Sequence, residues 1–163
     1  MNSQYNSVYP RLKRWLYRGN RPNPVARILN RIQATAVTHG VGISYVATLE
    51  VAGRKSGRIV SFPVVPVFVD GLQYVVSMLG DDAQWVHNVR ASGGKAVLRS
   101  SGRKEVHLEE VLPGQRAPIL KAYLQRAEGA RPHMPVSKDA PIVEFEKIAV
   151  AFPVFRVTYK QTM

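Results

Sequence analysis

The stretch best equipped for chemistry is Gly53-Arg54-Lys55-Ser56-Gly57-Arg58, set between two apolar runs. Glycines bracketing polar residues mark a tight turn. Successive backbone N–H groups in such a turn can form a concave anion site. Arg54, Lys55 and Arg58 add positive charge, and Ser56 adds a hydroxyl donor. A phosphate or a carboxylate suits that set. Composition alone favours the alternative, a solvated basic turn. A second stretch runs from Ser77 to Arg90. A strand ends at Ser77-Met78, a Gly80-Asp81-Asp82 loop follows, and a helix opens with Trp85. On that helix Trp85 and Val89 share a face, and Asn88 lies close to it. The Asn88 amide can therefore reach whatever Trp85 packs on. The alternative makes Trp85 a core anchor and Asn88 a helix-surface amide.

Other chemistries lack their residues. Gly40-Val41-Gly42 stands near a strand, but the dinucleotide fingerprint needs a third glycine where Tyr45 stands. Lys55-Ser56 lacks the glycine that a phosphate loop places before its lysine. No Gly-x-Ser-x-Gly occurs for a hydrolase. His39, His87, His107 and His133 are scattered without metal-ligand spacing, so no metal site is expected. The chain has no cysteine, which removes disulfides, thiolate metal sites and cysteine nucleophiles. Glu109 and Glu110 would point to opposite faces of a strand, so they do not read as a catalytic pair.

These stretches need elements to hold them. Residues 10–18 read as a short helix with Leu12, Trp15 and Leu16 on one face. Asn23-Pro24 reads as an N-cap followed by proline at the first helical position, opening a helix to about His39. The middle is β-rich: strands over 45–51, 58–69 and 72–78. Pro63 and Pro66 argue for an edge, a bulge or a break in the second of these. Asp70-Gly71 is a strong hairpin turn. A helix follows over 84–91, then strands over 95–99 and 104–111 around Ser101-Gly102. The last third predicts a helix over 113–126, a Pro/Gly-rich loop over 127–141, a short helix over 142–150 and a strand over 154–159. Strands in a meander with helices outside the run suggest a small antiparallel barrel. The fold class is α+β, mainly β. Residues 1–9 read as a flexible tail, and residues 10–163 as one domain whose 10–40 segment is basic and helical.

The length of 163 residues fits one domain, and a hydrophobic fraction of 45% is globular. The outlier is charge, +12 from 23 basic and 11 acidic residues. A chain this basic attracts anions: nucleic acid, a membrane surface or a phosphorylated ligand. The excess sits in the first two-thirds. Residues 1–49 carry Arg11, Lys13, Arg14, Arg18, Arg21, Arg27 and Arg31 and no acid. The helix over 10–18 could lie on an anionic membrane. The alternative packs it on the barrel with a solvated basic face. No apolar run is long enough to span a bilayer, and no secretory signal is seen. A cytoplasmic protein is expected, with peripheral contact at the inner face of the cell membrane as the open question.

Taken together, the turn Leu49-Glu50-Val51-Ala52-Gly53-Arg54-Lys55-Ser56-Gly57-Arg58, then Phe62-Pro63, Val67-Phe68-Val69-Asp70-Gly71, Val75-Val76-Ser77 and Trp85-Val86-His87-Asn88-Val89-Arg90-Ala91 resemble the deazaflavin-dependent nitroreductase and quinone-reductase family of actinobacteria. The resemblance covers roughly residues 12–112 and, more loosely, the last strand. It implies a split β-barrel, FMN-binding-like, with N-terminal and short helices packed outside. It implies coenzyme F420, a 5-deazaflavin with a phosphodiester and an oligoglutamate tail; FMN in the same groove is the alternative cofactor. The turn, with Arg54, Lys55, Ser56 and Arg58, would take the phosphate and tail. Phe62, Pro63, Val64 and Val65 would neighbour the ring. Ser77, Met78, Gly80, Trp85 and Asn88 would close the same cleft. Where many members carry proline before the tryptophan and an aromatic after it, this chain has Gln84 and Val86.

The implied reaction passes hydride from the reduced deazaflavin to a small conjugated acceptor such as a quinone, an activated alkene or a nitro compound. The cofactor carries that chemistry, and the protein binds and orients it. A proton must follow, from water or a hydroxyl, and Ser77, Tyr45 and Tyr74 are the candidates. A non-enzymatic anion- or nucleic-acid-binding protein is the further alternative. No RNA-binding signature is present, so no nucleic-acid partner is expected. By fold analogy the protein is a monomer or a homodimer.

Overall fold

The structure is a computed structural model and describes residues 45–161. The tail over 1–9, the helix over 10–18 and the helix ending near His39 all lie outside the described residues. Seven strands of the described residues form one antiparallel sheet: β1 (Ala47–Ala52), β2 (Ile59–Val64), β3 (Val67–Val69), β4 (Leu72–Val76), β5 (Lys95–Arg99), β6 (Arg103–Glu110) and β7 (Val154–Tyr159). Their order is β2-β1-β5-β6-β7-β4-β3. Among the described residues three α-helices accompany them: α1 (Gln84–Ala91), α2 (Ala117–Arg126) and α3 (Ile142–Ile148).

The order explains the shape. β2 and β3 are opposite edges of the sheet, yet only Val65-Pro66 separates them in sequence. The step from Val64 to Val67 can span only about 11 Å. The sheet must curl until its two edges meet at that corner. The edges do not pair with each other, so the barrel is split and not closed. Pro63 stays within β2 because β2 has a neighbour on one side only, opposite Thr48, and a missing N–H is tolerated on an edge. The chain breaks at Val65-Pro66 instead. Asp70 (φ 51°) and Gly71 (φ 75°) make the β3–β4 turn, with both central residues left-handed as a type I′ two-residue hairpin requires.

Alternation divides the core into two layers. Ala47, Leu49 and Val51 of β1 face the barrel interior, with Leu49 opposite Phe62 on one side and Leu98 on the other. α1 adds Trp85, Val86 and Val89 to this interior, and the Trp85 and Phe155 rings tilt at 56° with centroids 5.5 Å apart. The other face of β3 and β4 packs Val67 and Val76 against Leu120 and Leu124 of α2 and Phe145 of α3. Each such fully buried aliphatic or aromatic side chain contributes about 1.5–3 kcal/mol. The 127–141 region contains a 3₁₀ segment, Glu128–His133, within the expected loop. No helix among the described residues is long and apolar enough to cross a membrane.

Candidate functional site

The Gly53–Arg58 turn is closed by its own backbone. Gly53 N–H donates to the Arg58 carbonyl at 2.8 Å, and Gly57 N–H donates to the Gly53 carbonyl at 2.8 Å. Gly57 sits at φ +68°, a conformation that favours glycine. A Cβ on Gly53 would lie 3.1 Å from Ser56 Oγ and 3.2 Å from the Arg58 carbonyl. Ser56 Oγ accepts from Arg58 N–H at 3.3 Å, which leaves the hydroxyl proton free to donate. The Lys55 and Ser56 amides have no hydrogen-bond partner among the described residues. Residues 54–58 are all exposed. The turn therefore presents two adjacent free N–H groups, one hydroxyl and three cations to solvent.

Among the described residues no acidic group neutralises these cations. The ion pairs of the described residues engage Arg90, Arg99, Arg103, Arg116, Arg131, Lys138, Lys147, Arg156 and Lys160. Arg54, Lys55 and Arg58 enter none of them. An exposed cluster of like charge held on one turn is electrostatically unfavourable until an anion joins it. The donor set fits a phosphate or a carboxylate.

The two stretches singled out by sequence meet in space. Asn88 is 5% exposed, and its Oδ1 accepts from both Arg54 N–H and Arg54 Nη1, each at 3.2 Å. Gln84 Oε1 accepts from the same Nη1 at 3.0 Å. Trp85 is buried in the barrel beside Phe155. Gln84 was not among the expected site residues. The signal for it was present: Gln84 and Asn88 stand at i,i+4, so two amides share one helix face.

The remaining expected residues are placed elsewhere. Phe62 and Val64 point into the barrel interior, and Val65 joins the helix-side layer. Pro63, half-buried, stands on the outer face of β2. Ser77 is 1% exposed; its hydroxyl donates to the Gly80 carbonyl at 2.7 Å and its N–H to the Pro153 carbonyl at 2.9 Å. Gly80 adopts φ +83°, and a Cβ there would lie 3.2 Å from the Ala151 carbonyl. Met78, Tyr45 and Tyr74 pack against the helix-side layer. Burial, with the nearby Glu128 carboxylate adding to it and Arg126 opposing it, raises the Tyr45 phenol above its ordinary pKa. No group of His, Asp and Glu among the described residues could hold a metal ion.

An ion network fixes α1 from its other end. Arg90 donates to Asp81 at 2.7 Å and to both Glu110 oxygens at 2.6 and 2.9 Å. Arg116, 4% exposed, joins Glu110 at 3.2 Å and donates to the carbonyls of Val111 at 2.8 Å and Ala149 at 3.0 Å. The hydrogen bond from Arg90 holds the Asp81 carboxyl below its ordinary pKa. Bonds to Glu110 and Asp81 raise the Arg90 guanidinium, whereas burial lowers that of Arg116. The loop before α1, the last turn of α1 and the end of β6 are thus tied together.

Comparison with known proteins agrees with this architecture. No curated protein matches the chain in sequence. A structure described as a domain-swapped dimer superposes with TM-score 0.51 at 20% identity, over 82% of this chain and 96% of that one. Rv2991, a conserved hypothetical protein of Mycobacterium tuberculosis, gives TM-score 0.51 at 14% identity, over 78% of this chain and 80% of that one. An F420-H2 dependent reductase, FDR-A, is 21% identical over 70% of this chain and 94% of that one, at TM-score 0.47. The first two likenesses speak to the fold, a split β-barrel. The sequence profile of the F420H(2)-dependent quinone reductases matches residues 24–143, which take in the Gly53–Arg58 turn, α1 and six of the seven strands. The chain belongs to the F420H2-dependent quinone reductase family.

Proposed function

We propose that the protein oxidises reduced coenzyme F420 and passes the hydride to a small conjugated acceptor, with quinones the foremost class and activated alkenes and nitro compounds the others. The observation that carries this reading is the turn itself: three cations with no acidic partner among the described residues, beside two backbone N–H groups unpaired among them. Arg54, Lys55, Ser56 and Arg58 would hold the phosphodiester and glutamate tail. When bound, the reduced deazaflavin supplies a hydride from its ring carbon.

The chain's own residues bind and orient. Lys55 and Arg58 contribute charge from exposed positions, and the Lys55 and Ser56 amides add directional donors. Phe62 and Val64 support the inner side of β2, so the strand that leaves the turn rests on a packed core. No buried general acid is needed for the hydride step. Ser77 commits its hydroxyl proton to the Gly80 carbonyl, and its role in this reading is to hold the loop over 77–80. The proton that completes reduction of the acceptor then comes from water or from the Tyr45 or Tyr74 hydroxyl.

The test is turnover. Purified full-length protein is given reduced F420 and, separately, a quinone, an activated alkene and a nitro compound. Oxidation of the deazaflavin accelerated by protein and saturable in at least the quinone supports the reading. Oxidation no faster than in buffer with every acceptor refutes it.

A further inference from the structure

The geometry points to a role for Gln84 and Asn88 as positioning residues that aim Arg54 at the anion without quenching its charge; this rests on the cofactor reading above. Arg54 is exposed and flexible by type, yet its guanidinium is held at one nitrogen by two acceptors, Gln84 Oε1 at 3.0 Å and Asn88 Oδ1 at 3.2 Å. Both acceptors are neutral amides. A carboxylate there would fix the same nitrogen but cancel the charge that an incoming anion needs. With Nη1 occupied, the Nε and Nη2 donors carry no protein partner among the described residues. A guanidinium fork bound along one arm presents the other edge in a fixed direction, which lowers the entropy lost when an anion binds.

Asn88 does a second job. Its Oδ1 also accepts from Arg54 N–H at 3.2 Å, so it pins the backbone at the first charged residue of the turn. Asn88 is buried, and its neighbours Trp85 and Val89 are part of the barrel core. The turn is therefore referenced to the barrel through α1 and does not hang from its two strands alone. Gln84, at the first position of α1 and exposed, can be changed without opening that core.

The test uses the full chain and coenzyme F420, titrated by its own fluorescence at low salt. The variants are Gln84→Ala, Gln84→Glu, Arg54→Met and the double variant Arg54→Met/Gln84→Ala. Gln84→Ala should weaken binding about three- to tenfold in the otherwise wild-type chain, the loss of one charge-assisted contact. In the Arg54→Met background the same change should have no effect, because Gln84 acts only through Arg54. Gln84→Glu separates positioning from mere structure. A carboxylate in the first turn of α1, beside Arg54, should hold or raise the melting temperature. It should nevertheless weaken F420 binding by at least as much as Gln84→Ala. Hydrogen exchange without cofactor supplies a second readout: the Arg54 amide should be protected, and Asn88→Ala should release it.

Equal loss from Gln84→Ala with and without Arg54 would mean that Gln84 touches the cofactor itself, and would overturn the inference. So would no loss in either background, wild-type affinity in Gln84→Glu, or an unprotected Arg54 amide. Failure of the wild-type chain to bind F420 is a different result. It removes the cofactor reading, and the inference with it, before any variant is compared.

Discussion

Lys55 gives the sharpest perturbation of the turn. It is exposed, has no ion-pair partner and forms no hydrogen bond among the described residues, so replacing it breaks nothing in the fold. Lys55→Met keeps most of the stem and removes only the charge. A unit charge about 4 Å from an anion is worth about 1 kcal/mol in bulk water and about 4 kcal/mol near a protein surface. Its exposed position puts Lys55 toward the lower end, and about 1–2 kcal/mol corresponds to about five- to thirtyfold in Kd. The assay is an F420 titration of wild type and variant at low and high ionic strength. The difference should shrink as salt rises, because the screening length falls to about 10 Å at 0.1 M and shorter beyond. Melting temperature should not change. An unaltered Kd at low salt would refute the assignment of the turn to the anionic tail. A loss that does not diminish with salt would refute its electrostatic origin.

Three further outcomes follow from the fold. Gly94 sits at φ +82°, where a Cβ would run into the Leu108 carbonyl, so Gly94→Ala should destabilise by on the order of 2–3 kcal/mol in urea unfolding. Arg116→Met removes the buried donor shared by Glu110 and the carbonyls of Val111 and Ala149; denaturant melts should show a loss of about 2–4 kcal/mol. The Asp81 carboxyl is depressed by its bond to Arg90, so its contribution to stability is present above the unfolded carboxylate pKa. That contribution disappears as pH falls through the lower folded value, and Asp81→Asn should flatten the acid limb of a stability-against-pH curve.

Local signals in the sequence carried far for the elements and less far for the site. The helix over 84–91 and the strands over 95–99 and 154–159 are found at those bounds, because their apolar periodicity is strong and their ends carry turn residues. The 58–69 run resolves into β2 and β3 at Val65-Pro66, whereas Pro63 stays in the strand. Only the sheet order, which puts β2 on an edge, says which proline breaks it. The 3₁₀ segment Glu128–His133 went unread because so short and tight a helix leaves no periodic pattern. The contact of Asn88 with Arg54 spans 34 residues and required the tertiary fold to bring turn and helix together. The Arg90–Glu110–Arg116 network was invisible for the same reason.

The central claim is that the turn and α1 together hold a deazaflavin. Its most direct test is a paired binding titration of the purified full-length chain with F420 and with FMN under identical conditions. Saturable binding of F420, tighter than FMN and weakened by Lys55→Met, is the result this account expects. Binding of FMN in preference to F420, or no saturable binding of F420 at low salt, would contradict it.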